Sequence, residues 1–88
     1  MMPRTRLFSP ISMRSLEFAN RIVVSPMGQY SADENGLATL WHTMHLGNLA
    51  ISGAGLVFVE ATAVEPCGRV SGHCLGIWSD EQVTALAQ

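Results

Sequence analysis

Two short blocks of consecutive apolar residues dominate the hydrophobic pattern of the chain. The first is Ile22–Val24, and the second begins at Leu56 and is expected to run to Val64, with Glu60 near its far end. Unbroken apolar runs are typical of parallel strands that are covered on both faces. Pro26 has no amide proton for a ladder, so the first strand must end at or before this residue.

An amphipathic helix is predicted between the two strands. Apolar residues recur at spacings of three and four from Leu40 to Ile51, which is enough for about three turns. Thr39 is the predicted N-cap, and Gly53 and Gly55 are expected to close the helix in left-handed geometry. Strand, helix and strand together predict one right-handed βαβ unit.

The flanking segments predict smaller elements. Residues 7–18 alternate loosely and indicate a hairpin, while residues 31–36 form a polar cluster typical of a surface loop. Residues 65–77, which include one proline and three glycines, are too long for an ordinary strand-to-helix loop and predict a hairpin excursion. Ser79 and Gln82 form a predicted capping box, and no stop signal follows before Gln88.

One βαβ unit cannot cover its own sheet. Two parallel strands leave both sheet edges unpaired, whereas parallel sheets occur almost only with neighbouring strands and covered faces. We therefore expect residues 1–88 to be the amino-terminal part of a single larger α/β domain that continues beyond them. An independent complete domain is the less favoured alternative.

Composition narrows the class of protein. The hydrophobic fraction of 48%, the charged fraction of 14% and the net charge of -2 indicate a core-rich segment and exclude intrinsic disorder. Arg4, Arg6 and Arg14 make the amino end mildly basic, but this falls short of a nucleic-acid interface. Cys67 and Cys74 have neither zinc-knuckle nor disulfide-framework spacing, so we expect two reduced thiols. No targeting or membrane-spanning segment is visible, which predicts a cytoplasmic protein without membrane contact.

Several short sequence blocks, in order along nearly the whole chain, carry a family resemblance. They are Leu7–Pro10, Asn20–Met27, Trp41-His42, His45–Gly47, Gly53–Leu56, Glu60–Val64 and Gly76–Asp80. With them the chain resembles the Old Yellow Enzyme family of FMN-dependent NADH:flavin oxidoreductases, in its thermophilic-like or xenobiotic-reductase branch. The resemblance implies the first quarter of a TIM (β/α)8 barrel. It also implies FMN as cofactor, NADPH or NADH as hydride donor, and a small-molecule enal or enone as acceptor.

The resemblance also implies roles for individual residues. Ser25, Pro26, Met27 and Gly28 match the loop against the isoalloxazine ring, Ala61 matches a second flavin contact, and Tyr30 matches a substrate-side phenol. Close relatives commonly have cysteine where this chain has Gly28, so the flavin potential is expected to differ. The resemblance implies no catalytic residue and no metal ligand within these 88 residues, and it leaves open a homo-oligomer of the full-length protein.

Some of these residues also have purely structural interpretations that involve no ligand. Without the resemblance, Ser25–Met27 is an ordinary strand-ending turn and Tyr30 a packed surface aromatic. Glu60 is either a paired core carboxylate or a polar group facing the cofactor. His42 and His45 share a helix face, as metal ligands would, but their place on the first outer helix favours packing or capping.

Three functional hypotheses follow. The first is the amino-terminal segment of an ene-reductase, inactive alone because the acceptor-binding pair and the flavin-phosphate site lie outside it. The second is a non-catalytic quarter-barrel that assembles with itself or with a partner, since its strand edges are unpaired. The third is a truncated gene product.

Overall fold

A computed structural model describes residues 5–88. Residues 1–4, which include Arg4 of the basic amino end, lie outside the described part. The elements are β1 (Ile11–Met13), β2 (Leu16–Phe18), β3 (Val23–Val24), α1 (Leu40–Ala50), β4 (Leu56–Val57), a 3-10 helix (Pro66–Gly68) and α2 (Asp80–Leu86). Their order is the one predicted from the hydrophobic pattern.

The amino-terminal hairpin is confirmed. Strands β1 and β2 pair antiparallel, with Ile11 opposite Phe18 and Met13 opposite Leu16. Arg14 makes the turn in left-handed geometry, with φ of 53°. The chain therefore reverses direction within two residues, and β3 follows the hairpin.

The parallel pair β3–β4 is confirmed, but its second strand is shorter than predicted. Val23 pairs with Leu56 and Val24 with Val57, and the amide of Phe58 donates to the Val24 carbonyl at 3.0 Å. The expectation of a strand to Val64 is wrong. Its neighbour β3 is followed by Pro26, so the residues after Phe58 have no further β3 residue to pair with.

Asn20 and two glycines close the turn between α1 and β4. Asn20 Oδ1 accepts the amides of Ile22 at 3.0 Å and Gly55 at 2.8 Å, and its Nδ2 donates to the Gly53 carbonyl at 2.7 Å. Gly53 is left-handed as predicted, with φ of 95°. Gly55 is not left-handed. It is needed because a Cβ there would lie 2.5 Å from the Asn20 carbonyl oxygen.

The capping box of α2 is confirmed, and its glutamine also bonds to a residue of the loop over residues 31–36. Gln82 Oε1 accepts the amide of Ser79 at 3.1 Å, and the Ser79 hydroxyl accepts the amide of Gln82. Gln82 is buried, and its Nε2 donates to the Asn35 carbonyl at 2.9 Å. The helix ends at Leu86 with Ala87 as its C-cap, so it does not run on to Gln88.

The excursion over residues 65–77 packs on the polar loop. It contains one 3-10 turn and an isolated parallel bridge between Ala63 and Gly76 instead of paired hairpin strands. The amide of Ala32 donates to the His73 carbonyl, and the amide of Gly76 donates to the Gly36 carbonyl. These bonds join the two segments on one side of the sheet.

Little of the apolar surface is enclosed by the described residues themselves. Ala32 and Leu75 are the buried hydrophobic residues among residues 5–88, whereas Leu40 and Ile51 are 72% and 84% exposed. The pieces form an open α/β segment and not a closed barrel. Within the described part, neither helix has the length and apolar character that crossing a membrane requires.

Candidate functional site

Two segments leave the parallel sheet side by side at its carboxyl edge. One runs from Ser25 to Tyr30 after β3, and the other runs from Phe58 to Ala61 after β4. The register of Val24 opposite Val57 fixes their common starting point. The six predicted site residues belong to these two segments and are exposed: Ser25, Pro26, Met27, Gly28, Tyr30 and Ala61. The sequence therefore predicted which edge of the sheet carries them.

The loop after β3, residues 25–31, is held by side-chain hydrogen bonds. Gln29 Nε2 donates to the Met27 carbonyl at 3.0 Å, and the Ser31 hydroxyl donates to the Gln29 carbonyl at 2.9 Å. Trp41 Nε1, from the first turn of α1, donates to Gln29 Oε1 at 2.9 Å. The loop thus has a defined shape that depends on its own polar residues and on α1.

Tyr30 has an unusual backbone conformation. Its φ is 53°, in the left-handed region that costs a non-glycine residue about 1–2 kcal/mol. The side chain is 62% exposed, and its hydroxyl makes no hydrogen bond within residues 5–88. Strained backbone conformations concentrate at active and binding sites, where the surrounding structure holds them in place.

Backbone amide donors at the carboxyl edge of the sheet are available to a ligand. The amides of Met27, Gly28 and Ala61 donate to no group within the described residues. The Met27 side chain offers a flexible apolar surface beside them and is 47% exposed. These amides are therefore free to donate to a ligand that carries acceptor atoms on an apolar surface.

A buried histidine and carboxylate lie behind the exposed residues. His42 and Glu60 are 3% and 8% exposed, and His42 Nε2 lies 3.7 Å from Glu60 Oε2. His42 Nδ1 accepts the amide of Thr39 at 2.9 Å, which confirms the capping interpretation of His42. The structure likewise supports the core-carboxylate alternative for Glu60. His45 does not share this environment, since its ring stacks on Trp41 with centroids 6.1 Å apart.

Sequence reasoning did not bring His42 and Glu60 together. One lies in the first turn of α1 and the other follows β4, and their contact depends on the crossover geometry. The only signal in the sequence was that both are polar residues within otherwise apolar patterns. That signal identifies buried polar groups but does not pair them.

The environment of Cys74 shifts the pKa of its thiol. The Ser71 hydroxyl, 3.3 Å from its sulfur, lowers the pKa of the Cys74 thiol. Cys74 and Ala61 line the same small cleft of about 80 Å³. Cys67 and Cys74 are both free thiols. Residues 5–88 hold no group of three or more histidine, cysteine, aspartate or glutamate side chains arranged to hold a metal ion.

Comparison with known proteins gives a consistent family match. The model of the NADH:flavin oxidoreductase / NADH oxidase family matches residues 6–88. The chain is 49% identical to an NADPH dehydrogenase of Geobacillus sp. (strain WCH70), over 96% of the chain and 25% of that protein. It is 47% identical to an NADPH dehydrogenase of Listeria welshimeri, over 93% of the chain and 25% of that protein.

Solved structures give the same result for the fold. The Old Yellow Enzyme from Pichia sp. AKU4542 superposes with a TM-score of 0.84 at 30% identity, over 92% of this chain and 21% of that one. Morphinone reductase in complex with tetrahydroNAD superposes with a TM-score of 0.81 at 26% identity, over 94% and 22%. The chain spans about a quarter of the length of the curated relatives it matches.

Proposed function

The chain belongs to the NADH:flavin oxidoreductase / NADH oxidase family, and from this premise we propose that its protein is an FMN-dependent NAD(P)H oxidoreductase. The observation that carries the proposal is the carboxyl edge of the β3–β4 pair. There the exposed loop 25–31 and Ala61 present unused amide donors next to an apolar thioether. In this proposal residues 1–88 are the amino-terminal part of one barrel domain.

Five residues are assigned to the flavin. Ser25, Pro26, Met27 and Gly28 would hold one part of the isoalloxazine ring, because the amides of Met27 and Gly28 are available to its acceptor atoms. Ala61 would contact the ring from the second segment, where a small side chain permits close approach. Bound FMN would supply hydride transfer from NADPH or NADH to the acceptor.

Tyr30 is assigned to the substrate. Its free hydroxyl is suited to donate a hydrogen bond to a carbonyl oxygen, and its strained backbone fixes where the ring points. A carbonyl that withdraws electrons from a neighbouring carbon–carbon double bond makes that bond a hydride acceptor. The proposed substrates are therefore enals and enones.

The remaining parts of the proposal concern the whole protein. The isolated 88 residues are expected to be inactive, because the described residues bury little apolar surface and provide only one part of a flavin site. We place the protein in the cytoplasm and leave its state as monomer or homo-oligomer to measurement.

The test is a two-step flavin experiment on protein expressed from the complete coding sequence. NADPH is added without oxygen, and the flavin absorbance near the blue end of the visible range is followed. Addition of 2-cyclohexenone should then restore it. Bleaching by NADPH with recovery on adding the enone supports the proposal. Bound flavin that neither NADPH nor NADH bleaches contradicts the oxidoreductase assignment. Recovery only with oxygen contradicts the enone assignment.

A second candidate function is an assembly module without catalysis. It is favoured by the exposed apolar side chains of α1 and of the segment after β4, such as Met44, Phe58 and Val59. In this case the 88-residue chain itself would associate through those side chains. Sedimentation of the chain over a range of concentrations distinguishes the two: flavin-free association favours the module.

A further inference from the structure

The first turn of α1 contacts both segments of the candidate site. Thr39 donates its hydroxyl proton to the Ser31 carbonyl at 3.0 Å, and Trp41 Nε1 donates to Gln29 Oε1 at 2.9 Å. Both bonds hold the loop after β3. From the same turn His42 reaches Glu60, the residue immediately before Ala61. One helical turn is thus connected to both of the places where flavin contacts are assigned.

The proton on His42 has a defined location. Because Nδ1 accepts the amide of Thr39, the neutral ring carries its proton on Nε2. That Nε2 is fully buried and has no hydrogen-bond partner within the described residues. Buried donors without partners are rare in folded proteins. The nearest acceptor is Glu60 Oε2 at 3.7 Å, slightly beyond hydrogen-bond range.

Glu60 offers an acceptor oxygen opposite the Nε2 proton of His42. Its carboxylate is buried at the carboxyl end of β4, and His42 is the basic side chain that faces it. A carboxylate acceptor that faces a buried N–H donor is complementary to it. Hydrogen bonds in sites without their ligand are often long and shorten when the ligand is bound.

We propose that His42 and Glu60 are a positioning pair that sets the separation between the loop after β3 and Ala61, and so the width of the flavin site. The inference rests on the proposed function, since it assumes that FMN binds at this edge. Neither side chain touches the ring in this account. Glu60 fixes Ala61 through the adjoining backbone, and His42 fixes the position of Glu60 against the helix turn that also holds the loop.

Substitutions at Glu60 separate the hydrogen bond from the carboxylate itself. Glu60→Gln keeps an acceptor for the Nε2 proton, whereas Glu60→Ala removes it. The matched control is Glu65→Ala, at an exposed glutamate five positions further along the chain. His42→Asn is the partner variant, because its shorter amide still offers an acceptor to the Thr39 amide but does not reach Glu60.

Three readouts are taken on protein from the complete coding sequence: the FMN dissociation constant, the flavin midpoint potential and the unfolding of the apoprotein. Glu60→Ala and His42→Asn should each weaken FMN binding by about tenfold, by analogy with the lower end of the loss when a residue that orients a metal ligand is removed. Both should shift the potential. Glu60→Gln and Glu65→Ala should stay within about twofold of the wild type, a range too small to imply a lost interaction.

The outcomes separate this inference from the function on which it rests. Wild-type protein that binds no FMN overturns the proposed function. Wild-type protein that binds FMN, with Glu60→Ala indistinguishable from Glu65→Ala, overturns the positioning pair alone. Glu60→Gln as weak as Glu60→Ala also overturns it, because the retained acceptor then has no value. If Glu60→Ala does not fold, His42→Asn against wild type decides in the same way.

Discussion

Gly28 can accept a side chain, and adding one should stabilise the protein. Its backbone is not in the left-handed region. The three atoms nearest to a Cβ built there belong to the Tyr30 side chain: Cζ at 3.7 Å, Cε2 at 3.8 Å and the hydroxyl oxygen at 3.9 Å. Three such contacts contribute about 0.3–0.6 kcal/mol. Loss of glycine freedom in the unfolded chain adds about 0.4–1 kcal/mol. Gly28→Ala should therefore raise the free energy of unfolding by about 1 kcal/mol.

The assay is denaturant unfolding of the apoprotein from the complete coding sequence, followed by potentiometry of the flavin-loaded protein. Gly28→Ala and Gly28→Cys should show the same gain in stability, because both add the same Cβ. Only Gly28→Cys should shift the flavin potential, because only it adds a thiol beside the assigned ring position. Destabilisation of Gly28→Ala by 1 kcal/mol or more, on the order of an overpacking penalty, would refute the steric argument. Equal potentials in the three proteins would refute the assigned position of Gly28 against the flavin.

Further substitutions test other parts of the structure. Gly76→Ala should destabilise the protein by about 1–3 kcal/mol, because its Cβ would overlap the Trp78 ring. Denaturant unfolding measures this change, and an unchanged free energy of unfolding would contradict the packing of Trp78 on Gly76. Tyr30→Phe should leave folding unchanged and raise the KM for an enone while leaving FMN affinity unaltered, and an unchanged KM would remove Tyr30 from the substrate site. Ser71→Ala should raise the pKa of the Cys74 thiol and so move the pH profile of its alkylation to higher pH. The measurement is made in a Cys67→Ser background, so that only Cys74 reacts. An unmoved profile would show that Ser71 does not stabilise the thiolate.

The order of elements was predictable because it depends on local patterns. Unbroken apolar runs mark β3 and β4, and the Ser79–Gln82 spacing marks the start of α2. The placement of the candidate site residues at one edge of the sheet also follows from sequence, since Pro26 ends β3 and parallel strands share one carboxyl edge. The assignment of Ser25–Gly28 and Ala61 to a flavin came from the family resemblance and not from these patterns.

What the sequence did not predict depends on contacts between distant residues. β4 is short because its ladder with β3 ends where Pro26 interrupts the neighbour, a limit that the apolar run after Leu56 does not contain. Gly55 is required by the approach of Asn20, from 35 residues earlier in the chain. The His42–Glu60 pair likewise exists only once the crossover is formed. Local periodicity carries no information about such partners.

The central claim is that this chain is part of an FMN-binding oxidoreductase, and native mass spectrometry of the endogenous protein tests it most directly. Purification must be gentle enough to retain a non-covalent flavin. The account predicts a polypeptide that contains this sequence and carries one FMN per chain, with the flavin released on denaturation. A folded endogenous protein without flavin, associated with itself or with another protein, would contradict the claim and favour the assembly module.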